Sequence, residues 1–379
     1  SLIWYLEHVF YHSIPKIYNY IQHHMYDGKP IENEIIDLGF WPGGDRDGNP
    51  FVTTKITLDV AERLRQTILK SYYRDIRRLK RRFTFDGVQD ILSRVEKRLY
   101  KHVIRSYVEI NFSQKILLEE LYAAREIIVN EHQSLFIEEL NDVINKVRIF
   151  GFHFATLDIR QDSRVHHHAF VKLVEDLQNT GDTTFPKNYI HLSEEEQIEI
   201  LSLIKGEIDP NILTDEVSVK TIESIYALKE IQYRNGERGA NRYIISNNQT
   251  ALNVMETFAM LNLCGFENEL PVDVIPLFET VEDLENAEDV MRTLYSNNVY
   301  RHHIAKRKNK QTIMLGFSDG TKDGGYLMAN WGIFKAKEAL TKISREYDIE
   351  VIFFDGRGGP PARGGGKTHQ FYASLGPTI

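Results

Sequence analysis

The sequence predicts a mainly α-helical fold built round a parallel α/β sheet or barrel of about six strands. Three observations carry this. Long amphipathic patterns fill the first 150 residues, and from there short apolar runs of strand length alternate with helical segments. A polar or glycine-rich cluster then follows most of the short runs, as in barrels whose chemistry sits at the carboxyl ends of the strands.

Residues 1–26 read as helix, since Leu2, Leu6, Phe10, Ile14, Ile17 and Ile21 fall near one face, with a bend expected at Pro15. A short strand is expected at Ile35 to Phe40. From about residue 57 to 82, Val60, Leu64, Ile68 and Ile76 keep a helical period, and amphipathic helices continue over 88–148. The basic run Arg77-Arg78-Leu79-Lys80-Arg81-Arg82 invites a nucleic-acid reading, but a solvated helix face explains it more simply. Further strands are placed at Phe152 to Ile159, Arg242 to Ser246, Val272 to Phe278, Thr312 to Phe317 and Glu350 to Phe354. Ser193 with Glu196 forms a capping box that opens another helix, and Arg301 to Lys310 reads as an exposed basic loop. The organisation predicted is a helical segment over 1–34, then a partial barrel over 35–379 with helical insertions at 57–148 and 193–235.

A chain of 379 residues can hold one large or two ordinary domains. Its 42% apolar and 26% charged residues are those of a soluble globular protein. The net charge of −8 gives no general attraction for nucleic acid or acidic membranes, so an anionic substrate needs a locally positive pocket. Cys264, the single cysteine, excludes an internal disulfide, fits a reducing cytoplasm and sits in an apolar run that favours packing over chemistry. No uncharged stretch of about 18 residues marks a membrane span, and no signal-peptide pattern occurs. The chain opens at Ser1 in a helix-like pattern and stops at Ile379 without a closing element, so both ends read as cut, before a last strand.

Glu279 and Asp319 each follow an apolar run, and carboxylates on neighbouring strand ends can share a hard divalent cation such as Mg²⁺ or Mn²⁺. The alternative is that each belongs to the cap of the next helix, since Thr280 precedes Glu282-Asp283 and Ser318 precedes Asp319. The run from Gly356 to Lys367 sets Arg357 and Arg363 among Gly358, Gly359 and Gly364. Such a loop brings backbone N–H groups and forked positive charge to a phosphate or carboxylate; a plain linker seldom spaces arginines so. It fits neither a Walker loop nor a dinucleotide fingerprint. Asp45, Arg46 and Asp47 stand in a turn-forming Gly43-to-Pro50 cluster whose three successive charges sit poorly with a wholly structural role. The adjacent histidines His166 to His168 and His302-His303 point to different helix faces and read as surface or packing residues.

Taken in order, five segments resemble phosphoenolpyruvate carboxylase: Gly-Gly-Asp-Arg-Asp-Gly-Asn-Pro at 43–50, Leu-Asp-Ile-Arg-Gln at 157–161, Pro-Leu-Phe-Glu-Thr at 276–280, Gly-Phe-Ser-Asp-Gly-Thr-Lys-Asp at 316–323, and the glycine-arginine run at 356–366. The resemblance implies an eight-stranded TIM-type α/β barrel surrounded by helices, of which this chain is an internal, divergent piece of bacterial type. It implies a cytoplasmic enzyme joining bicarbonate to phosphoenolpyruvate, with Mg²⁺ or Mn²⁺, to give oxaloacetate and phosphate. Position by position, Glu279 and Asp319 match metal ligands, Arg357 a phosphate-contacting arginine, and Lys322 a charged residue beside the metal. Asp45, Arg46, Asp47 and Arg160 fall in active-site motifs, and Arg363 matches a loop arginine drawn toward an acidic inhibitor such as aspartate or malate. A homotetrameric parent is implied, with no nucleic-acid or membrane partner.

Departures accompany the resemblance, among them Lys367 and the Pro360-Pro361 pair inside the glycine-arginine run. Asp355 stands where the family commonly has histidine, Thr156 where bacterial relatives often have arginine, and no His-Pro occurs to supply the family's upstream Thr-Ala-His-Pro histidine. The 379-residue piece alone is therefore expected to be inactive. Two other readings stay open: a different metal-dependent barrel acting on a phosphorylated enolate, and a non-catalytic anion-binding helical module.

Overall fold

A computed structural model describes residues 2–29, 31, 35–105, 112–266, 270–356 and 367–373. The protein is mainly helical, its strands pair in parallel, and the chain divides into two compact units.

The first unit comprises Ser1–Gly43, Lys55–Leu157 and Leu228–Asn241. It is built from α1 (Leu2–Tyr5), a π-helical turn Leu6–Phe10, α2 (Tyr11–Met25), α3 (Thr54–Arg82), α4 (Val88–Arg105), α5 (Gln114–Glu131) and α6 (Ile137–Phe150). Pro15 lies inside α2, and the irregular turn comes just before that helix. Leu64, Ile68, Leu69, Ile76 and Leu79 of α3 are buried as one stripe. On its outer face Arg77, Arg78, Lys80 and Arg82 are ion-paired with Glu96, Asp75, Glu96 and Glu139, so the basic run is a solvated, neutralised surface. Asp75 itself is buried: Lys146 of α6 reaches its Oδ2 at 2.9 Å and the Tyr11 hydroxyl donates to the same oxygen at 2.8 Å. Two short parallel strands, β1 (Gly39–Phe40) and β2 (Thr156–Leu157), pair Gly39 with Thr156. The strand expected from Phe152 therefore starts later; Phe154 has φ 66°, a left-handed backbone that cannot continue a strand.

The second unit comprises Gly44–Thr54, Asp158–Ala227 and Arg242–Ile379. Its sheet runs in chain order through β3 (Ile159–Asp162), β4 (Arg242–Ser246), β5 (Asp273–Phe278), β6 (Lys310–Gly316) and β7 (Glu350–Gly356), every pair parallel. Parallel neighbours need long crossovers, and helices supply them: α7 (Ser163–Asn179), α8 (Glu194–Leu203) and α9 (Glu216–Asn235), then α10 (Ala251–Asn262), then α11 (Val281–Ser296) and α12 (Asn298–Lys306), then α13 (Ser318–Glu346). A last helix, α14 (Thr368–Ala373), follows β7. The sheet edge where all five strands end is thus shared by the segments after Asp162, Ser246, Phe278 and Gly316.

The Ser193–Glu196 capping box is present, and Cys264 is buried. The expected loop at Arg301 to Lys310 is instead mostly helix, because the Asn297 side chain caps Val299 and Tyr300 and the buried pair Tyr300 and Ile304 gives α12 an inner face. His166 packs in the core between Tyr243 and Thr257, at 2.9 and 2.7 Å, and burial holds its pKa down at about 3. His167 and His168 are half-exposed beside Glu256 and Asp215. Among the described residues no helix is long and apolar enough to cross a membrane.

Candidate active site

The glycine-rich turn at 43–50 is sewn to β3. Arg46 N–H donates to Arg160 O at 2.9 Å, Arg160 N–H donates to Gly44 O at 3.1 Å, and Asp45 bridges Arg160 in parallel. This pairing brings side chains 115 positions apart into register. Arg160 Nε and its terminal nitrogen grip both oxygens of Asp45 at 2.8 and 3.1 Å, and Asp47 lies 3.4 Å away. A planar guanidinium suits such a two-pronged carboxylate. Burial works against the charged guanidinium, but the Asp45 hydrogen bonds and the charges of Asp45, Asp47 and Glu279 overcome it and raise its pKa. Arg160 is therefore a fixed cation.

Arg46 goes elsewhere. Its terminal nitrogens donate to Lys220 O at 3.2 Å and Thr54 Oγ1 at 3.1 Å, and burial lowers its pKa against the pull of Tyr243 and Glu223. The structure thus joins the side chains of Asp45, Asp47 and Arg160 but turns the Arg46 side chain away from them.

Glu279 follows β5. Its Oε2 accepts the backbone N–H of Asn247 at 2.7 Å, from the turn that ends β4. Asn247 adopts φ 51°, a left-handed conformation that asparagine tolerates. Gly316, at the end of β6, makes room: a Cβ there would lie 3.1 Å from both Cα and Cγ of Glu279. Helix capping falls to the next residues, since Thr280 and Asp283 form the capping box of α11. The cap alternative thus applies to Thr280 and Asp283, while the Glu279 carboxylate turns toward β4.

Asp319 lies in the first turn of α13, but its side chain is outside the described residues. Lys322 is exposed on the same turn, and Asp323 ties α13 to α11 by accepting Val281 N–H at 3.2 Å. Gly356 ends β7, where a Cβ would lie 2.9 Å from Met314 Cε and 3.1 Å from Leu315 O. Arg357, Gly358, Gly359, Arg363 and Gly364 lie outside the described residues. Asp355 is paired with Lys337. Thr156 is buried in the first unit, its hydroxyl unpartnered among the described residues.

Side-chain parity places the cluster on one face of the sheet. Arg160 stands beside Ile244, Ile244 beside Ile275, and Leu277, two residues on, precedes Glu279 by two more. Arg160 and Glu279 therefore look the same way. Glu279, just past β5, is a hard oxygen donor of the kind that suits Mg²⁺ or Mn²⁺, and Asp319 follows β6 in sequence. Among the described residues no group of three or more His, Cys, Asp or Glu side chains gathers to hold a metal.

Sequence reasoning set Ser246, Asn247 and Asn248 in a polar cluster after a strand but gave them no role, and so missed the hold of the Asn247 turn on Glu279. Ser246 and Asn248 are fully buried, with side-chain atoms unpartnered among the described residues. The Asn-Asn pair directly after a strand was the available signal for a left-handed turn. Also missed was Arg242, whose Nε bonds the buried Asp158 at 2.6 Å.

The family model described as phosphoenolpyruvate carboxylase matches residues 2–111 and 92–375. Phosphoenolpyruvate carboxylase of Nitrosomonas eutropha is 31% identical over 97% of this chain and 44% of its own length. That of Nitrosomonas europaea is 30% identical over the same shares, 97% and 44%. The chain thus spans less than half the length of these curated relatives.

Proposed function

This chain belongs to the phosphoenolpyruvate carboxylase family, and we propose that it supplies the metal- and phosphate-handling part of an enzyme joining bicarbonate to phosphoenolpyruvate. The observation that carries this reading is the Asp45–Arg160–Asp47 cluster on the same sheet face as Glu279, at the carboxyl edge of five parallel strands. On this reading the five strands are part of an eight-stranded barrel, completed by the rest of a cytoplasmic, homotetrameric parent.

In the proposed reaction a bicarbonate oxygen attacks the phosphorus of phosphoenolpyruvate and the bond to the enol oxygen breaks. Carboxyphosphate and the enolate of pyruvate result. Carboxyphosphate then splits into carbon dioxide and phosphate, which keeps the bicarbonate proton, and the enolate carbon attacks carbon dioxide to give oxaloacetate. Glu279 and Asp319 would hold Mg²⁺ or Mn²⁺, which when bound neutralises charge on the phosphate and the developing enolate. Arg160 keeps the Asp45 turn fixed and its charge next to Glu279. Lys322 and Arg357 would add positive charge for the phosphate. Arg363 would be the residue an acidic effector such as aspartate or malate captures, drawing its loop from the site.

Glu279→Ala in the full-length parent tests the assignment. It should lower kcat roughly a hundredfold and weaken Mn²⁺ binding measured by titration; unchanged turnover and Mn²⁺ affinity would remove Glu279 from the site. The 379-residue chain alone, which lacks a His-Pro sequence, should form no oxaloacetate from bicarbonate. Measurable product from it would overturn that expectation.

A further inference from the structure

Strand register separates the last residues of β7 between two environments. Met314 stands beside Phe354, Leu315 beside Asp355 and Gly316 beside Gly356, while β5 sets Leu277 beside Met314 and Phe278 beside Leu315. Side chains of register partners share a face and alternate along a strand. Phe354 and Gly356 therefore look the same way as Leu277 and, through Ile275 and Ile244, as Arg160. Asp355 looks the opposite way, with Leu315 and Phe278.

On that opposite face α13 crosses the strand, and Lys337 meets the carboxylate. Its Nζ lies 2.9 Å from Oδ1 and 3.1 Å from Oδ2, with the lysine side chain 5% and the aspartate 19% exposed. The same ammonium lies 5.6 Å from the centre of the Phe353 ring. An ammonium so enclosed requires a counter-charge. Turning Asp355 toward the Arg160 face would strand Lys337 and invert the register of β7.

We propose that Asp355 is a positioning residue: its ion pair with Lys337 pins the end of β7 to α13, fixing the strand that leads in sequence to Arg357, and its carboxylate transfers no proton. The proposal rests on the proposed function above, in which Arg357 and the residues opening α13 serve one phosphate. The pin links the strand ahead of the arginine to the long stretch of α13 that follows a break at Gly325 (φ 80°), downstream of the turn that carries Lys322. Loosening it spoils the alignment of β7, the strand ahead of Arg357, and leaves the reacting groups themselves intact.

The full-length parent carrying Asp355→Asn provides the test, read as kcat, KM for phosphoenolpyruvate and the pH–rate profile. We expect KM to rise roughly tenfold, with kcat and both limbs of the profile kept. The exchanged pair, Asp355→Lys with Lys337→Asp, should recover part of that loss. If Asp355→Asn does not accumulate, Lys337→Gln examines the same pair from the helix side with the same expected outcome. Loss of a profile limb would assign Asp355 to proton transfer, and unchanged KM with a lower melting temperature would leave the pair merely structural; either overturns the proposal. A wild-type parent that neither binds nor turns over phosphoenolpyruvate sinks the functional reading itself, before any variant is compared.

Discussion

Asn247 donates its backbone N–H to Glu279 Oε2 at 2.7 Å, so the carboxylate that follows one strand is aimed by the turn that ends its neighbour. The bond depends on the left-handed backbone at Asn247, φ 51°, and not on its side chain. A residue far from Glu279 in sequence thereby sets the orientation of the proposed metal ligand.

The first prediction concerns that turn. Asn247→Ala places a residue poorly suited to the left-handed region there and should cost about 1 kcal/mol of stability. Asn247→Gly should be nearly neutral because glycine adopts the conformation freely. Urea unfolding of the three proteins distinguishes them; equal midpoints for alanine and wild type would mean the turn rearranges at no cost.

A second prediction follows from the Arg160 fork. Removing the cation in Arg160→Ala leaves Asp45, Asp47 and Glu279 as uncompensated like charges and should lower stability by about 2 kcal/mol. Arg160→Lys should recover only part, since one ammonium cannot occupy both Asp45 oxygens in a planar fork. Full recovery by lysine in denaturant titrations would show that charge alone, without geometry, sustains the contact.

The third concerns acid. Burial pushes the His303 pKa down to about 4, helped by the charges of Arg307, His302 and Lys306. The unfolded chain then binds a proton that the folded chain refuses, so stability declines as pH falls below about 6.5 and the decline levels off near the folded value. His303→Gln should shrink the loss between pH 7 and pH 5 by about 2 kcal/mol. An unaltered pH dependence of unfolding would assign the acid sensitivity to other groups, among them the buried His166.

How far the sequence revealed the site depends on the distance over which each contact is decided. Thr280 and Asp283 were legible as a cap because they lie three residues apart, and the structure has that box. The strands β4 to β6 were legible because buried parallel strands are near-continuous apolar runs, and β7 was legible from the apolar run Val351-Ile352-Phe353-Phe354 although it is only part-buried. Arg301 to Lys306 was misread as a loop because its charges hid the buried spacing of Tyr300 and Ile304. The segment before Thr156 was misread as strand because aromatic burial in a turn resembles aromatic burial in a sheet.

The sequence by itself determined the family, the order of the strands β4 to β7, and that acidic and basic residues gather after the apolar runs. Only the tertiary structure decided which of these face one another. It joined Asp45 to Arg160, turned Arg46 away to Lys220 and Thr54, set Asn247 against Glu279, and put Asp355 on the helix side with Lys337. The reason is parity. One step along a strand reverses a side chain's direction, and which parity faces the site is fixed by register with neighbouring strands tens of residues away.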